Sequence, residues 1–166
     1  ATSGIAGYSF AMDANADDTV DTTNTFMDYA SYPIFNGKHV FHVKALDKAG
    51  NWGAELTFNI WVDTATPQIG GPQAFTDSGM TTQIMSGVWQ TYGAPYLIWH
   101  DVVTPISGVT YYYTTDGTEP NLNSGSLNTA VYDHTANSFP EGTTVIKVRP
   151  YSGAGKWGSD IEFTLE

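Results

Sequence analysis

Apolar residues alternate with polar ones in two stretches of this chain. In the first, Phe41, Val43 and Ala45 share one face while His42 and Lys44 share the other; in the second, Ile146 and Val148 oppose Lys147 and Arg149. A period of two with one apolar face predicts a half-buried antiparallel strand. Each stretch is followed by a second alternating run. Leu56, Phe58 and Ile60 are expected to point inward, with Glu55, Thr57 and Asn59 outward; Ile161, Phe163 and Leu165 inward, with Asp160, Glu162 and Thr164 outward. Residues 47–50 and 152–155 lie between the runs and supply turn chemistry, with Gly50 and Gly155 available for a positive φ. Each pair of runs therefore reads as a hairpin. No long stretch repeats apolar residues at helical spacing, so the expected class is all-β.

The two hairpins align without a gap at an offset of 105, Val40 on Val145 and Trp52 on Trp157. Upstream, Ser3-Gly4-Ile5 matches Ser107-Gly108-Val109 at nearly the same offset. A period near 105 is the size of one sandwich module and too long for a solenoid repeat. The chain is thus predicted to hold two tandem immunoglobulin-like β-sandwiches, residues 1–63 and 64–166. Residues 62–67 join them, and Pro67 should make the junction semi-rigid. The second module has 39 residues between Pro67 and its Ser107, including strand candidates at 83–89 and 95–100; the first has only Ala1 and Thr2 before Ser3. The first module is therefore expected to lack its N-terminal strands, with an unpaired sheet edge and an open groove over Phe41, Val43 and Phe58. Either preceding residues of a longer polypeptide complete it, or a neighbouring subunit donates the strand.

Composition narrows the function. The formal net charge is −11, with only six Lys and Arg. Nucleic-acid binding needs a basic footprint, and an anionic membrane surface would repel this chain. No apolar run approaches the roughly 20 residues of a membrane helix, so membrane insertion is not expected. Cysteine is absent, which removes disulfides, thiolate metal sites and thiol nucleophiles. The 17 glycines and eight prolines fit a chain of many turns.

The run from Gly37 to Gly53, with Ser3-Gly4-Ile5-Ala6-Gly7-Tyr8-Ser9-Phe10 before it and Val62-Asp63-Thr64-Ala65-Thr66-Pro67 after it, resembles the bacterial immunoglobulin-like or fibronectin-III-like repeats of large secreted and surface proteins. Val109-Thr110-Tyr111-Tyr112-Tyr113-Thr114-Thr115-Asp116-Gly117-Thr118-Glu119-Pro120 is similar to the C-terminal sandwich domain of chitobiase-type proteins. These resemblances imply an extracellular or cell-surface module serving as a stalk, spacer, filament or adhesion element beside neighbouring modules of the same polypeptide or filament. The alternative they imply is a carbohydrate- or protein-binding accessory module. They bring no catalytic residues.

Three sets of residues are candidates for chemistry. Asp13, Asn15 and Asp17, with Asp21, have the alternate spacing of a calcium loop, since hard cations want oxygen ligands. The pattern then departs: Asp18 stands where a glycine is expected and Asn24 where a glutamate is. An acidic loop between strands needs no metal to exist. Asp116, Glu119, Asn121 and Asn123 form a second oxygen-rich stretch, which Asp116-Gly117 and Pro120 mark as a turn. Among the aromatics, Tyr111 and Tyr113 share a face with Val109 and belong to the core. Trp89, Tyr92 and Tyr112 are the surface candidates for stacking on a sugar or a partner protein. Trp52 and Trp157, at equivalent positions, suggest a repeated packing task. The four histidines lack metal-ligand spacing, and His100, Asp101 and Ser107 lack the elbow of a nucleophile. The chain is expected not to be an enzyme.

Overall fold

The computed structural model describes residues 3–28, 30, 33–91 and 93–166. Every regular element among them is a strand, in the order β1 (Ile5–Met12), β2 (Gly37–Asp47), β3 (Leu56–Val62), β4 (Gln68–Phe75), β5 (Gln83–Ile84), β6 (Tyr96–Val103), β7 (Val109–Thr114), β8 (Gly125–Leu127), β9 (Val131–Asp133), β10 (Thr144–Ser152) and β11 (Ile161–Leu165). The chain divides into two compact units, Ala1–Asp63 and Thr64–Glu166.

Unit two is a β-sandwich of two four-stranded antiparallel sheets, β5-β4-β6-β9 and β11-β10-β7-β8. The inner faces follow the predicted alternation. In β10 the residues at 144, 146, 148, 150 and 152 are buried and those between are not. Ile146, Val148, Tyr111, Phe163 and Leu165 meet Ala74, Ile84, Leu97, Trp99 and Tyr132 of the facing sheet in one core. Each fully buried large apolar side chain stabilises the fold by about 1.5–3 kcal/mol. Pro150 sits in a central strand, where its missing N–H would normally break a ladder. Here the β10–β11 ladder ends at Val148, and the Pro150 carbonyl accepts from Gly158 on that same side, so the β7 ladder loses nothing.

Two strand expectations change. The candidate at 83–89 shrinks to the two residues of β5, and β4 lies where alternation gave no signal. Gly70-Gly71-Pro72 interrupts its pattern because the strand bulges there. Gly71 takes φ +62°, and a Cβ on it would meet His100 at 2.8 Å. The strand predicted at 95–100 is present as β6.

Unit one is a single sheet, β1-β2-β3. Cross-strand pairs put Tyr8 against Ala45, Phe10 against Val43, Phe41 against Phe58 and Val43 against Leu56, all on one face. No second sheet covers that face among the described residues. Phe58, expected inside, is 68 % exposed, and Leu56 and Phe26 are exposed as well. The opposite face, expected to meet water, is the better covered. Residues 13–21 fold over it: Asp17 accepts from the Ser9 hydroxyl, Asp18 pairs with Lys44, and Glu55 accepts from the Ala16 amide at 2.7 Å. The side chains of His42 and Lys44 keep only 15 % of their exposure. The acidic loop finds cationic and N–H partners on that face, whereas an apolar face can be closed only by another apolar layer.

Candidate functional site

Trp89 is an exposed aromatic held by a hydrogen-bonded segment at the edge of a groove. The segment 86–90 runs beside the last strand: Gly87 donates to the Thr164 carbonyl at 2.9 Å, and Gln90 to the Glu166 carbonyl at 2.7 Å. The Ser86 hydroxyl accepts from the Thr164 amide. The Gln90 side chain donates back to the carbonyls of Met85 and Val88, and Gly87 supplies φ +68° for the turn. These bonds leave Trp89 turned outward and 80 % exposed. It stands at a groove of about 480 Å³ that also presents Gln90, Phe139, Glu141, Thr144 and Glu166. Phe139 stacks on His134 at 4.1 Å, and His134 on Tyr132, so the groove wall is continuous with the core. A flat indole beside amide, hydroxyl and carboxylate groups is the chemistry that stacks on a sugar ring while bonding its hydroxyls.

The other aromatic candidates are not gathered there. Tyr92 lies outside the described residues. Tyr112 lies on the outer face of β7, near the start of β11 rather than its end. It packs edge-on to Trp157 at 5.3 Å and to Tyr151 at 6.0 Å, and Tyr151 meets Trp157 at 4.6 Å. Arg149 lies 5.0 Å over the Trp157 ring, donates to the Gly158 carbonyl and pairs with Glu119 at 2.8 Å. These groups are partnered with one another, which is a packing arrangement for the outer face of the sheet. The packing task of Trp157 is therefore to cover a sheet face. Alternation had placed Tyr112 outward; the roles of Tyr151 and Arg149 needed the register of β10 on β7. Tyr111 and Tyr113 point inward as expected. Burial and the neighbouring Asp101, which accepts the Tyr111 hydroxyl at 2.7 Å, push the Tyr111 phenol well above its ordinary range.

In the acidic loop each carboxylate is taken by a different protein donor. Asp13 binds the His39 ring at 2.7 Å and the Val40 amide, Asp17 the Thr19 amide and Ser9, and Asp21 the Phe10 amide. Asn15 is exposed. Among the described residues no group of three or more His, Asp or Glu is placed to hold a metal ion. The bond to His39 holds the Asp13 carboxyl below the usual range and raises the His39 imidazole. Asp116 accepts from the Thr118 hydroxyl and amide, as a turn residue does, and is lowered by those bonds.

Compared with protein-family models and with curated proteins, the chain matches none.

A third place is the apolar face of unit one. Residues 22–28 and 33–35 border it and leave two adjoining grooves, of about 440 and 470 Å³, that share Phe10, Met27 and Phe41. Periodicity assigned Phe41 and Phe58 to a core without supplying the layer that would bury them.

Proposed function

We propose that this chain is a non-catalytic structural or adhesion segment of a surface or secreted protein, a stalk, spacer or filament element built from immunoglobulin-like modules in series. The observation that supports this reading most is where unit two takes in and releases its backbone. Pro67, just before β4, lies against Gly158, just before β11. Glu166, just after β11, is bonded to Gln90 beyond the other end of that strand. The backbone enters at one end of the sandwich and leaves at the other, roughly 17 Å away along β11 alone. Modules threaded this way extend a polypeptide with each copy and carry load end to end. The resemblance to bacterial immunoglobulin-like repeats agrees with it. Pulling single molecules by their two ends should give one cooperative unfolding event for unit two.

A second reading, an accessory module that binds polysaccharide, is favoured by the Trp89 groove. Titration against a polysaccharide panel separates the two. Saturable binding that is lost in Trp89→Ala, with folding intact, would replace the structural reading by the binding one; no binding across the panel is the expected result.

A further inference from the structure

The two units share more than a hairpin. By strand register, Tyr8 is opposite Ala45 as Tyr111 is opposite Pro150, and Phe10 opposite Val43 as Tyr113 is opposite Val148. Tyr8 and Phe10 thus stand where Tyr111 and Tyr113 stand. On the other edge of β1, Thr22 pairs with Tyr8 as Leu127 of β8 pairs with Tyr111. Counting on from Thr22 and from Leu127 sets Phe26, Met27 and Asp28 on Val131, Tyr132 and Asp133, the residues of β9. The turn that follows agrees: the Asp28 carboxylate accepts the Ala30 amide at 2.9 Å, and Asp133 accepts the Thr135 amide at 3.0 Å. Met27 lies beside Phe10 in the groove, as Tyr132 packs on Tyr113 at 4.7 Å.

In unit two β9 is not the outermost layer by itself. It pairs with β6, Tyr132 opposite Leu97 and Val131 opposite Ile98, and β6 pairs with β4. Those strands bury Phe163 to 3 % exposure, where its counterpart Phe58 is at 68 %. In unit one, residues 26–28 occupy the place of β9 yet pair with no strand among the described residues.

We propose that the apolar face of unit one is a docking surface for a two-stranded antiparallel β-layer with apolar residues at alternate positions, one strand of which pairs along residues 26–28. The layer arrives in the same polypeptide through Gly4. The backbone turns into β1 there at φ +76° with its carbonyl bonded to the Lys48 amide at 3.0 Å. Gly108, where the chain passes from the β4–β6 layer into β7, has φ +84° and bonds the Gly153 amide at 3.1 Å. The same turn joins the two layers of unit two. This inference deepens the modular reading but does not need the stalk role: a binding module would require the same layer.

Two measurements test it. In the 166-residue chain at concentrations where it is monomeric, amides of β2 and β3 should exchange at least about tenfold faster than those of β10 and β11, and an environment-sensitive apolar dye should bind and be displaced by Phe58→Asp. Equal protection of the two sheets in the monomer would overturn the proposal, and so would dye binding that disappears as the chain self-associates, since a second copy would then be the cover. In the second measurement, a copy of residues 67–106, the strands β4 to β6, is fused ahead of Ser3. The expected result is new protection of the amides of residues 26–28 and loss of dye binding. A folded fusion with those amides and the dye unchanged would also overturn it.

Discussion

Units one and two carry the same three-stranded array, β1-β2-β3 and β7-β10-β11, and differ in what lies across its apolar face. The likeness extends to single bonds. Gly53 donates to the Ala45 carbonyl at 2.8 Å and Gly158 to that of Pro150 at 2.9 Å; Asp47 donates to Asn51 and Ser152 to Lys156. Lys44 lies 5.0 Å over Trp52, and Arg149 5.0 Å over Trp157. With hairpin, turn and outer-face chemistry matched, the difference in burial between Phe58 and Phe163 comes from the second sheet. Local pattern builds the array, and a facing layer makes it a core.

The largest expected effect tests that difference directly. Phe163→Ala should cost unit two about 3–5 kcal/mol, because a fully buried ring leaves a cavity. Phe58→Ala, at the equivalent position, should cost unit one less than about 1 kcal/mol. Urea unfolding followed residue by residue on amides of β10 and β2 separates the units. Equal losses would mean that unit one has a buried core after all.

Much of the array was legible in the sequence. Period-two alternation located β2, β3, β10 and β11 and oriented Tyr111 and Tyr113 correctly, because a half-buried strand writes its two faces into consecutive residues. It failed on β4, where a bulge at Gly71 breaks the period, and on β8 and β9, whose three residues are too short to show one. The candidate sites were less legible. Spacing could mark Asp13, Asn15 and Asp17 as oxygen-rich, but not that His39, Val40, Thr19 and Ser9 would take up those carboxylates. Nor could it tell that Tyr112, expected on the surface like Trp89, packs against Trp157, since only the pairing of β10 with β7 decides that.

A middle-sized contrast concerns backbone approach. A Cβ on Gly158 would lie 2.0 Å from the Pro67 carbonyl oxygen, so Gly158→Ala must push backbone apart and should cost about 1–3 kcal/mol. On Gly53 the nearest atom would be 3.5 Å away, and Gly53→Ala should stay within about 0.5 kcal/mol. Matching thermal shifts for the two variants would contradict the close packing of Pro67 on unit two. Smaller still is the outer-face cation. Arg149→Met removes a ring contact, a carbonyl bond and the Glu119 pair and should cost about 1 kcal/mol; Lys44→Met should cost nearer about 0.5 kcal/mol. Chemical denaturation of each variant checks the order, which reverses if Asp18 rather than Trp52 dominates at Lys44.

The smallest contrast is a pH dependence that unit one should have and unit two should lack at the same position. His39 corresponds to Thr144, which does not titrate. The His39 imidazole donates to Asp13 at 2.7 Å, and that bond, followed by the one to the Phe35 carbonyl, raises its pKa above the ordinary 6.5. A raised folded-state value means that the contribution is fully present below 6.5 and is lost as pH climbs through the folded value. Asp13 moves the other way: its pKa is lowered from 3.8 by the bond to His39, so its contribution is present above 3.8 and lost as pH falls through the folded value. Unit one should therefore hold best between about pH 4 and 6.5 and loosen as the solution turns alkaline. Amide exchange in β2, compared with β10 and corrected for the intrinsic pH dependence of exchange, should reveal that alkaline limb. His39→Asn should flatten it while leaving β10 unchanged. A limb that survives in His39→Asn would assign the titration to another group and remove the Asp13–His39 pair from the forces closing the loop onto the sheet.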